Sequence, residues 1–305
     1  MIRLTTALEP FQRPLEAEDA RRRWSERRGL IFTVFDGAAG RGRGEAAPLP
    51  GYSIESLAEV EAALAGAELE VDPARDLAGV WSAVPSAWPA AARFAAESAL
   101  LEWWAGRRGT SIERALGAGP GPVPVAHLVN ELSLERALSA VPGAAALKIK
   151  IGRPGRLSEE LQLIHEISQA TPLPLRVDAN QAFHEETPAV LAALAELGVE
   201  LVEEPCPETL ALTDSPVPLA LDESLFAHAP SQAELAERPF IKALVLKPTC
   251  LGLANTLSLA WRGPAPIISH TYEGPIGQRV LHALARALNS PYAHGVGPYR
   301  REDPS

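Results

Sequence analysis

Acidic and basic side chains recur at the ends of short apolar runs in the second half of the chain. Asp178, Glu203 and Asp222 each close such a run, and Lys247 closes a later one. They lie roughly 20 to 25 residues apart, which is about the length of one strand, one helix and their loops. If the three carboxylates meet in space, they form a hard oxygen site of the kind that Mg²⁺ prefers.

Two lysines, Lys148 and Lys150, flank Ile149. In a strand alternate side chains point the same way, so both ammonium groups face one side and Ile149 faces the other. Burying two like charges is unfavourable unless neighbouring groups compensate them. A lysine that acts as a base near neutral pH needs a pKa about 3 units below the ordinary value. The alternative is an edge strand with both lysines in water.

Paired acids, Glu203-Glu204 and Asp222-Glu223, follow two of the apolar runs directly. A single acid at a strand end is most often a solvated loop residue, but adjacent acids repel each other and call for a cation. The set predicts removal of a proton beside the carboxylate of a small-molecule substrate. In such a site Mg²⁺ holds the carboxylate, one lysine takes the proton, and Lys247 approaches the opposite face.

The elements that must position these groups are short apolar runs alternating with helical segments, a pattern typical of βα units and a parallel sheet. We expect strands over residues 123–129, 146–151, 173–178, 199–204, 218–222, 243–247 and 265–269. In a barrel the carboxyl ends of the strands share one rim. A doubly wound open sheet is the alternative, but no glycine-rich phosphate loop follows the first strand. An eighth strand is not clear, and residues 292–297 are its degenerate candidate.

The first hundred residues have a different pattern. Residues 30–36 are strand-like, residues 40–44 are rich in glycine, and residues 54–65 and 89–105 have helical periodicity. A proline and glycine cluster at residues 117–124 marks a boundary. We therefore predict an α/β protein: a (β/α)7β-type TIM-like barrel over residues 119–290, with an N-terminal α+β capping domain over residues 1–118 to which residues 291–305 also contribute.

Composition narrows the function classes. The chain of 305 residues is 47% hydrophobic and 22% charged, which excludes disordered and collagen-like classes. A net charge of −10 argues against nucleic acid as a partner. The arginines within residues 21–28 are either solvated or in contact with an anionic substrate. No apolar run is long enough for a membrane span, so we expect a cytoplasmic protein. Cys206 and Cys250 are expected to be reduced core residues, and monomer and homo-oligomer both remain open.

Five short strings together resemble the enolase superfamily, in its muconate lactonizing enzyme subgroup. They are Lys148-Ile149-Lys150, Val177-Asp178-Ala179-Asn180, Glu203-Glu204-Pro205-Cys206, Leu221-Asp222-Glu223-Ser224 and Leu246-Lys247-Pro248-Thr249. Within that superfamily, the short chain and the string at residues 44–51 most resemble the o-succinylbenzoate synthase family.

The resemblance implies specific roles. Asp178, Glu203 and Asp222 would be the Mg²⁺ ligands, with Asn180 and Glu223 beside them. The catalytic set would be Lys150 as the base, Lys148 as its electrostatic partner, and Lys247 with its cation over the ring of the enediolate. Asn180 and Ser269 would contact the substrate. The implied reaction is the syn dehydration of 2-succinyl-6-hydroxy-2,4-cyclohexadiene-1-carboxylate in menaquinone biosynthesis, and the implied cap segments over the barrel mouth are residues 21–28 and 37–50.

Other functions fit parts of the pattern. N-succinylamino acid racemase, dipeptide epimerase and cycloisomerase would use the same metal and lysines. A Schiff-base aldolase barrel needs one lysine and no metal, and leaves the three carboxylates unexplained. A barrel that only binds ligands would be expected to have lost a ligand or a lysine, and all are present. Residues 270–274 are more polar and bulkier than the serine-rich stretch of the resembled family at this position. For His270 within them, packing or hydrogen bonding is a better explanation of a lone histidine than catalysis.

Overall fold

The computed structural model describes residues 1–18, 22–37, 40–129 and 133–297. Its N-terminal part, which we call the cap, is a four-stranded antiparallel sheet with four helices. The strands, in the spatial order β3-β2-β1-β4, are β1 (Ile2–Glu18), β2 (Arg23–Phe35), β3 (Arg41–Ala46) and β4 (Leu69–Val71). The helices are α1 (Leu57–Leu64), α2 (Leu77–Trp81), α3 (Ala90–Arg107) and α4 (Ile112–Ala115).

Strands β1 and β2 form a long hairpin, paired from Thr5 opposite Phe35 to Glu18 opposite Arg23. The arginine-rich segment was expected to be a loop over the site, and for residues 23–28 this is wrong because they belong to β2. Arg27 is fully buried and donates to the backbone carbonyls of Ala47 and Pro48. A buried guanidinium that finds several carbonyl acceptors is a structural group.

The glycine-rich segment was also expected to be a closing loop, and for residues 41–46 this is wrong because they form β3. The glycines at positions 42 and 44 allow α3 to lie directly against the strand. A Cβ atom on Gly42 would lie 1.9 Å from the carbonyl oxygen of Ala99, and one on Gly44 would lie 1.8 Å from that of Ala95. Glycine here serves close packing of helix on sheet.

The second part of the chain is a seven-stranded parallel sheet in the order β11-β10-β9-β8-β7-β6-β5. Its strands are β5 (Ala126–Val129), β6 (Ala146–Lys150), β7 (Leu175–Asp178), β8 (Leu201–Glu203), β9 (Leu219–Leu221), β10 (Ile241–Leu246) and β11 (Ala265–Ile268). Its helices are α5 (Leu134–Ser139), α6 (Leu157–Ala170), α7 (Thr187–Glu196), α8 (Ser224–Ala227), α9 (Gln232–Ala236), α10 (Pro248–Leu251), α11 (Leu253–Ala260) and α12 (Pro275–Ala287). Only a short 3-10 helix, Thr209–Ala211, separates β8 from β9.

The two edges of this sheet are joined by isolated parallel bridges, Val125 with His294 and Ser269 with Gly295. The amide of Ala126 donates to the carbonyl of His294 at 2.9 Å, and the amide of Gly295 donates to the carbonyl of Ile268 at 2.8 Å. The segment at His294 and Gly295, which we call the seam, takes the place of the eighth strand. The described part of the predicted C-terminal contribution to the cap therefore lies in the barrel, and residues 298–305 lie outside the described residues.

The predicted fold class is confirmed: a curled parallel sheet is covered by an N-terminal antiparallel cap. Cys206 and Cys250 are free and buried, as expected. Across the described ranges, no helix combines the length and the apolar character needed to cross a membrane.

Candidate active site

Lys148, Asp178 and Glu203 meet at the rim because their strands are neighbours. Asp178 is the register partner of Glu203 across β7 and β8. The Nζ atom of Lys148 lies 3.0 Å from Oδ2 of Asp178 and 2.5 Å from Oε2 of Glu203. One ammonium group therefore binds both carboxylates inside the barrel.

Lys247 and Asp222 form a second buried pair at the ends of β10 and β9. The ammonium group of Lys247 also donates to the hydroxyl of Tyr52, which the cap contributes. It lies 5.0 Å from the centroid of the Tyr52 ring and 6.0 Å from that of Phe226. A cation over aromatic faces gains electrostatic energy from the ring quadrupoles, so the cap helps to hold Lys247.

Lys150 belongs to a third chain of contacts. Its Nζ atom donates to Oδ1 of Asn180 at 3.3 Å, and Nδ2 of Asn180 donates to Oε1 of Glu223 at 3.0 Å. Strand β6 lies between β5 and β7, so Lys148 and Lys150 are not on a sheet edge. The edge-strand alternative is therefore wrong.

Lys150 and Lys247 lie on opposite sides of the barrel. Strands β6 and β10 are separated by β7, β8 and β9 in one direction, and by β11, the seam and β5 in the other. Because strand ends converge on one rim in a closed barrel, a molecule at the centre of the rim would have one lysine on each side.

The pKa values of the site reflect this crowding. Burial alone would lower the pKa of Lys148, but Asp178 and Glu203 outweigh burial and raise it above the ordinary value. The lowered pKa expected of the lysine that acts as the base concerned Lys150, and it stays a prediction. Burial opposes ionisation of Asp178, yet Lys148 lowers its pKa to about 2. Burial raises the pKa of Asp222 well above its ordinary value, against the lowering effect of Lys247.

Glu204 turns away from its neighbour and holds the loop that carries Asp222. Its backbone has φ +38°, in the left-handed region that is unusual for a residue with a side chain. One carboxylate oxygen accepts from the amide of Asp222 at 2.7 Å and from that of Ser224 at 2.9 Å. The other accepts from Nε2 of Gln181 at 3.1 Å. Such strain is concentrated at functional sites.

The donor set fits a divalent cation. Oδ1 of Asp222 and Oε2 of Glu223 are buried without a hydrogen-bond partner in the described part of the chain. If all of them are ionised, the carboxylates at positions 178, 203, 204, 222 and 223 outnumber the three lysine ammonium groups by two negative charges (5 − 3 = 2). Among the described residues, no three His, Cys, Asp or Glu side chains are grouped so that they could hold a metal ion. Lys148 instead binds Asp178 and Glu203, and Lys247 binds Asp222. Asp178, Glu203 and Asp222 would hold a metal once the ammonium groups withdraw.

The remaining predicted residues lie beside the rim. Ser269 is buried at the end of β11, and a Cβ on Gly295 would lie 2.8 Å from its Oγ atom. The His270 ring packs on Tyr272 with centroids 5.1 Å apart. Burial lowers the pKa of His270 to about 4, although Glu273 acts in the opposite direction. His270 is therefore a neutral, packed ring near neutral pH.

Two contacts of the site were missed from the sequence. Tyr52 directly follows the string at residues 44–51, and no local sequence signal indicates that it reaches Lys247. Glu204 was noted as one of two adjacent acids, but its role depends on a backbone turn that the sequence pattern does not reveal.

Known proteins resemble this chain in sequence and in fold. Residues 133–300 match the family model described as enolase C-terminal domain-like. An o-succinylbenzoate synthase of Enterobacter sp. (strain 638) is 28% identical over 290 residues, covering 88% of this chain and 81% of that protein. A chloromuconate cycloisomerase of Cupriavidus necator is 33% identical over 173 residues, covering 51% of this chain and 46% of that protein.

Among solved structures, an o-succinylbenzoate synthase from Thermosynechococcus elongatus BP-1, complexed with Mg in the active site, superimposes with a TM-score of 0.74. It is 25% identical in sequence, with 95% of this chain and 92% of that chain covered. The family match spans more than half of the sequence. Within the matched region, the carboxylates and lysines at the strand ends of this protein converge at one rim. The chain belongs to the enolase C-terminal domain-like family, and hence to the enolase superfamily.

Proposed function

We propose that this protein is an o-succinylbenzoate synthase that dehydrates 2-succinyl-6-hydroxy-2,4-cyclohexadiene-1-carboxylate to 2-succinylbenzoate with the help of Mg²⁺. The observation that carries the proposal is the convergence of Lys148, Lys150 and Lys247 with three carboxylates at one rim. The similarity to o-succinylbenzoate synthases along most of the chain supports the choice of substrate.

In the proposed reaction, Lys150 takes the proton next to the substrate carboxylate as the free amine. It then returns that proton to the hydroxyl group that leaves on the same face, so that a carbon–carbon double bond and water are formed. Lys247 faces the other side of the ring, and its positive charge stabilises the negative charge that develops there. Bound Mg²⁺ would supply Lewis-acid stabilisation of the substrate carboxylate.

The test is the ultraviolet change that accompanies formation of the aromatic ring. We expect turnover by the purified protein with Mg²⁺, its loss with a chelator, and its loss in Lys150→Ala. Lys242→Ala is the matched control, because Lys242 is an exposed lysine near the N-terminal end of β10, at the opposite end of the strand from Lys247. Absence of turnover by folded, Mg²⁺-loaded protein would reject the synthase assignment.

The placement of Lys150 and Lys247 on opposite strands favours a second candidate, racemisation or epimerisation of an N-succinylamino acid or dipeptide. There each lysine would exchange the α proton of one enantiomer. Solvent deuterium exchange separates the two functions. Lys247→Arg would stop exchange from only one enantiomer in a racemase, whereas dehydration requires proton transfer by Lys150 alone.

A further inference from the structure

Two helices of the barrel begin beneath the cap, and each is preceded by glycine. Glycine has no side chain to accept from the free amides of a first helical turn, which need a partner when they are buried. At α12 the partner comes from the cap. Glu45, 1% exposed, accepts from the amide of Gly274 at 2.6 Å and from the amide of Gly277 at 3.1 Å.

The loop before α12 is tied to the cap at a second point. The backbone carbonyl of Tyr272 accepts from Nη2 of Arg13 at 2.7 Å and from Nε of Arg27 at 3.1 Å. Arg27 is itself fixed by its bonds to carbonyls of the cap. Tyr272 has φ +63°, a conformation that residues with a side chain rarely adopt. Such a conformation persists only where the surroundings hold it.

This loop leads directly from the candidate substrate residue Ser269 to α12. Its polar groups are tied inside the barrel as well: Glu273 accepts from Oγ1 of Thr249 at 2.6 Å and from the amide of Thr271 at 2.8 Å. The Tyr272 ring lies 6.2 Å from the ring of Trp24 in the cap hairpin. Cap residues thus hold the strained turn at Tyr272 and at its C-terminal end, Gly274.

We propose that Glu45 and Arg27 are positioning residues: they hold the turn at Tyr272, and so the segment after β11, in the conformation that receives the substrate. The metal-ligand candidates lie at the carboxyl ends of β7, β8 and β9. The hydrogen bonds from Glu45 and Arg27 to the loop before α12, which we call the brace, do not reach these residues. The brace therefore acts on substrate binding and leaves metal affinity unchanged. The kinetic part of this inference rests on the proposed function, whereas the conformational part does not.

The test compares Glu45→Gln with Glu102→Gln. Glu102 also joins the cap to α12, through a 2.8 Å bond from Arg279, but it does not contact the turn. In Glu45→Gln we expect amide hydrogen exchange of residues 269–277 to be about tenfold faster and KM about tenfold higher. Mg²⁺ affinity stays within about twofold and kcat changes less than KM. Glu102→Gln leaves all four quantities near wild type. Equal behaviour of the two variants would overturn the proposal.

A second pair of variants isolates the strained backbone without removing the brace. Tyr272→Val and Tyr272→Asn both delete the aromatic ring, but asparagine tolerates positive φ whereas a β-branched residue does not. In Tyr272→Val we expect amide exchange of residues 269–277 to be faster than in the wild type. In Tyr272→Asn we expect it to stay closer to the wild-type rate. Equal exchange in the two would overturn the proposal. Amide exchange requires no substrate. It therefore tests the conformational part of the inference even if the wild type shows no dehydration and the proposed function fails.

Discussion

Two sets of buried carboxylates in this molecule have opposite surroundings. Glu45 and Glu97 of the cap accept from backbone amides at the first turns of α12 and α11; for Glu97 the donors are Leu253 at 2.6 Å and Ala254 at 3.0 Å. Asp222 and Glu223 at the rim each keep one buried oxygen without a partner among the described residues. An unsatisfied buried polar atom costs about 1 to 3 kcal/mol.

The difference separates a structural role from a binding role. Backbone amides at a helix start are fixed donors that carry part of the helix dipole, so the cap carboxylates are complete without a ligand. The partners of the rim carboxylates are lysine ammonium groups on long, movable side chains. A bound cation would complete a rim that leaves carboxylate oxygens without donors, and mutations should distinguish the two sets.

The largest effect is expected at the rim. Asp222→Asn should lower turnover of the proposed substrate about 10³-fold, which corresponds to about 4 kcal/mol of activation free energy. The reason is loss of one cation ligand together with the partner of Lys247. Steady-state kinetics and calorimetric Mg²⁺ titration measure the change, with the exposed Asp214→Asn as control. Wild-type Mg²⁺ affinity in Asp222→Asn would remove Asp222 from the metal site.

The next largest effect is expected for the pH dependence of stability, at His294 of the seam, whose ring is hydrogen-bonded. Nδ1 of His294 accepts from the amide of Ile268 at 3.0 Å, and burial beside the Arg176 guanidinium lowers the pKa of His294 to about 4. The unfolded chain protonates near pH 6.5, so stability from neutral His294 is present above pH 6.5 and is lost as the pH falls through about 4. The loss is about 3 kcal/mol.

Urea unfolding between pH 7 and pH 4 measures this loss, with His294→Gln as the comparison. Glutamine still offers an acceptor to Ile268 but does not titrate. The pH dependence of unfolding should therefore be flatter in the variant. Identical slopes in the two proteins would show that His294 does not contribute.

Removal of a cap carboxylate should affect stability rather than chemistry. Glu97→Ala leaves two buried amides of α11 without an acceptor, so we expect the free energy of unfolding to fall by about 2 to 3 kcal/mol. Urea denaturation measures it. Glu61→Ala, on the exposed face of α1, should stay within about 0.5 kcal/mol. A loss at Glu97 no larger than that of the control would contradict the assigned role.

The smallest effect is expected for a carboxylate that is not buried. Glu68 pairs with Arg3, and both side chains are more than 60% exposed. Glu68→Gln should change the free energy of unfolding by less than about 0.5 kcal/mol, because water screens exposed pairs. Thermal unfolding at low and high salt provides the measurement. A larger change would contradict the view that burial determines how much a carboxylate contributes to the free energy of unfolding.

Much of the barrel could be predicted from the sequence, because its strands are buried on both faces and appear as continuous apolar runs. The cap was harder to predict. Arg27 lies in a polar segment, and its acceptors are carbonyls of Ala47, Pro48 and Tyr272 that are distant in sequence. The glycine-rich segment that contains β3 was expected to close over the barrel mouth, whereas its glycines allow close contact with α3. Hydrophobic periodicity does not indicate which helix will lie on a strand.

At the rim, residue types and spacing predicted which side chains converge, because parallel strands end at one edge. Their partners could not be predicted in the same way. Tyr52 reaches Lys247 only because the cap is docked. Glu204 holds the Asp222 loop through its backbone conformation. Whether the pKa of Lys148 is raised or lowered depends on its distances to Asp178 and Glu203. Spacing along the chain does not give those distances.

The seam has a consequence for how the chain folds. Strands β5 to β11 pair with neighbours that are close in sequence, so each can add to the sheet as it forms. The bridges at Val125 and Ser269 instead wait for residues 294–295, and the first of them spans nearly the whole barrel sequence. Contacts between distant residues form slowly because a long loop must close first. We therefore expect an open, curled sheet to precede the barrel, with closure at His294 as the final, rate-limiting step.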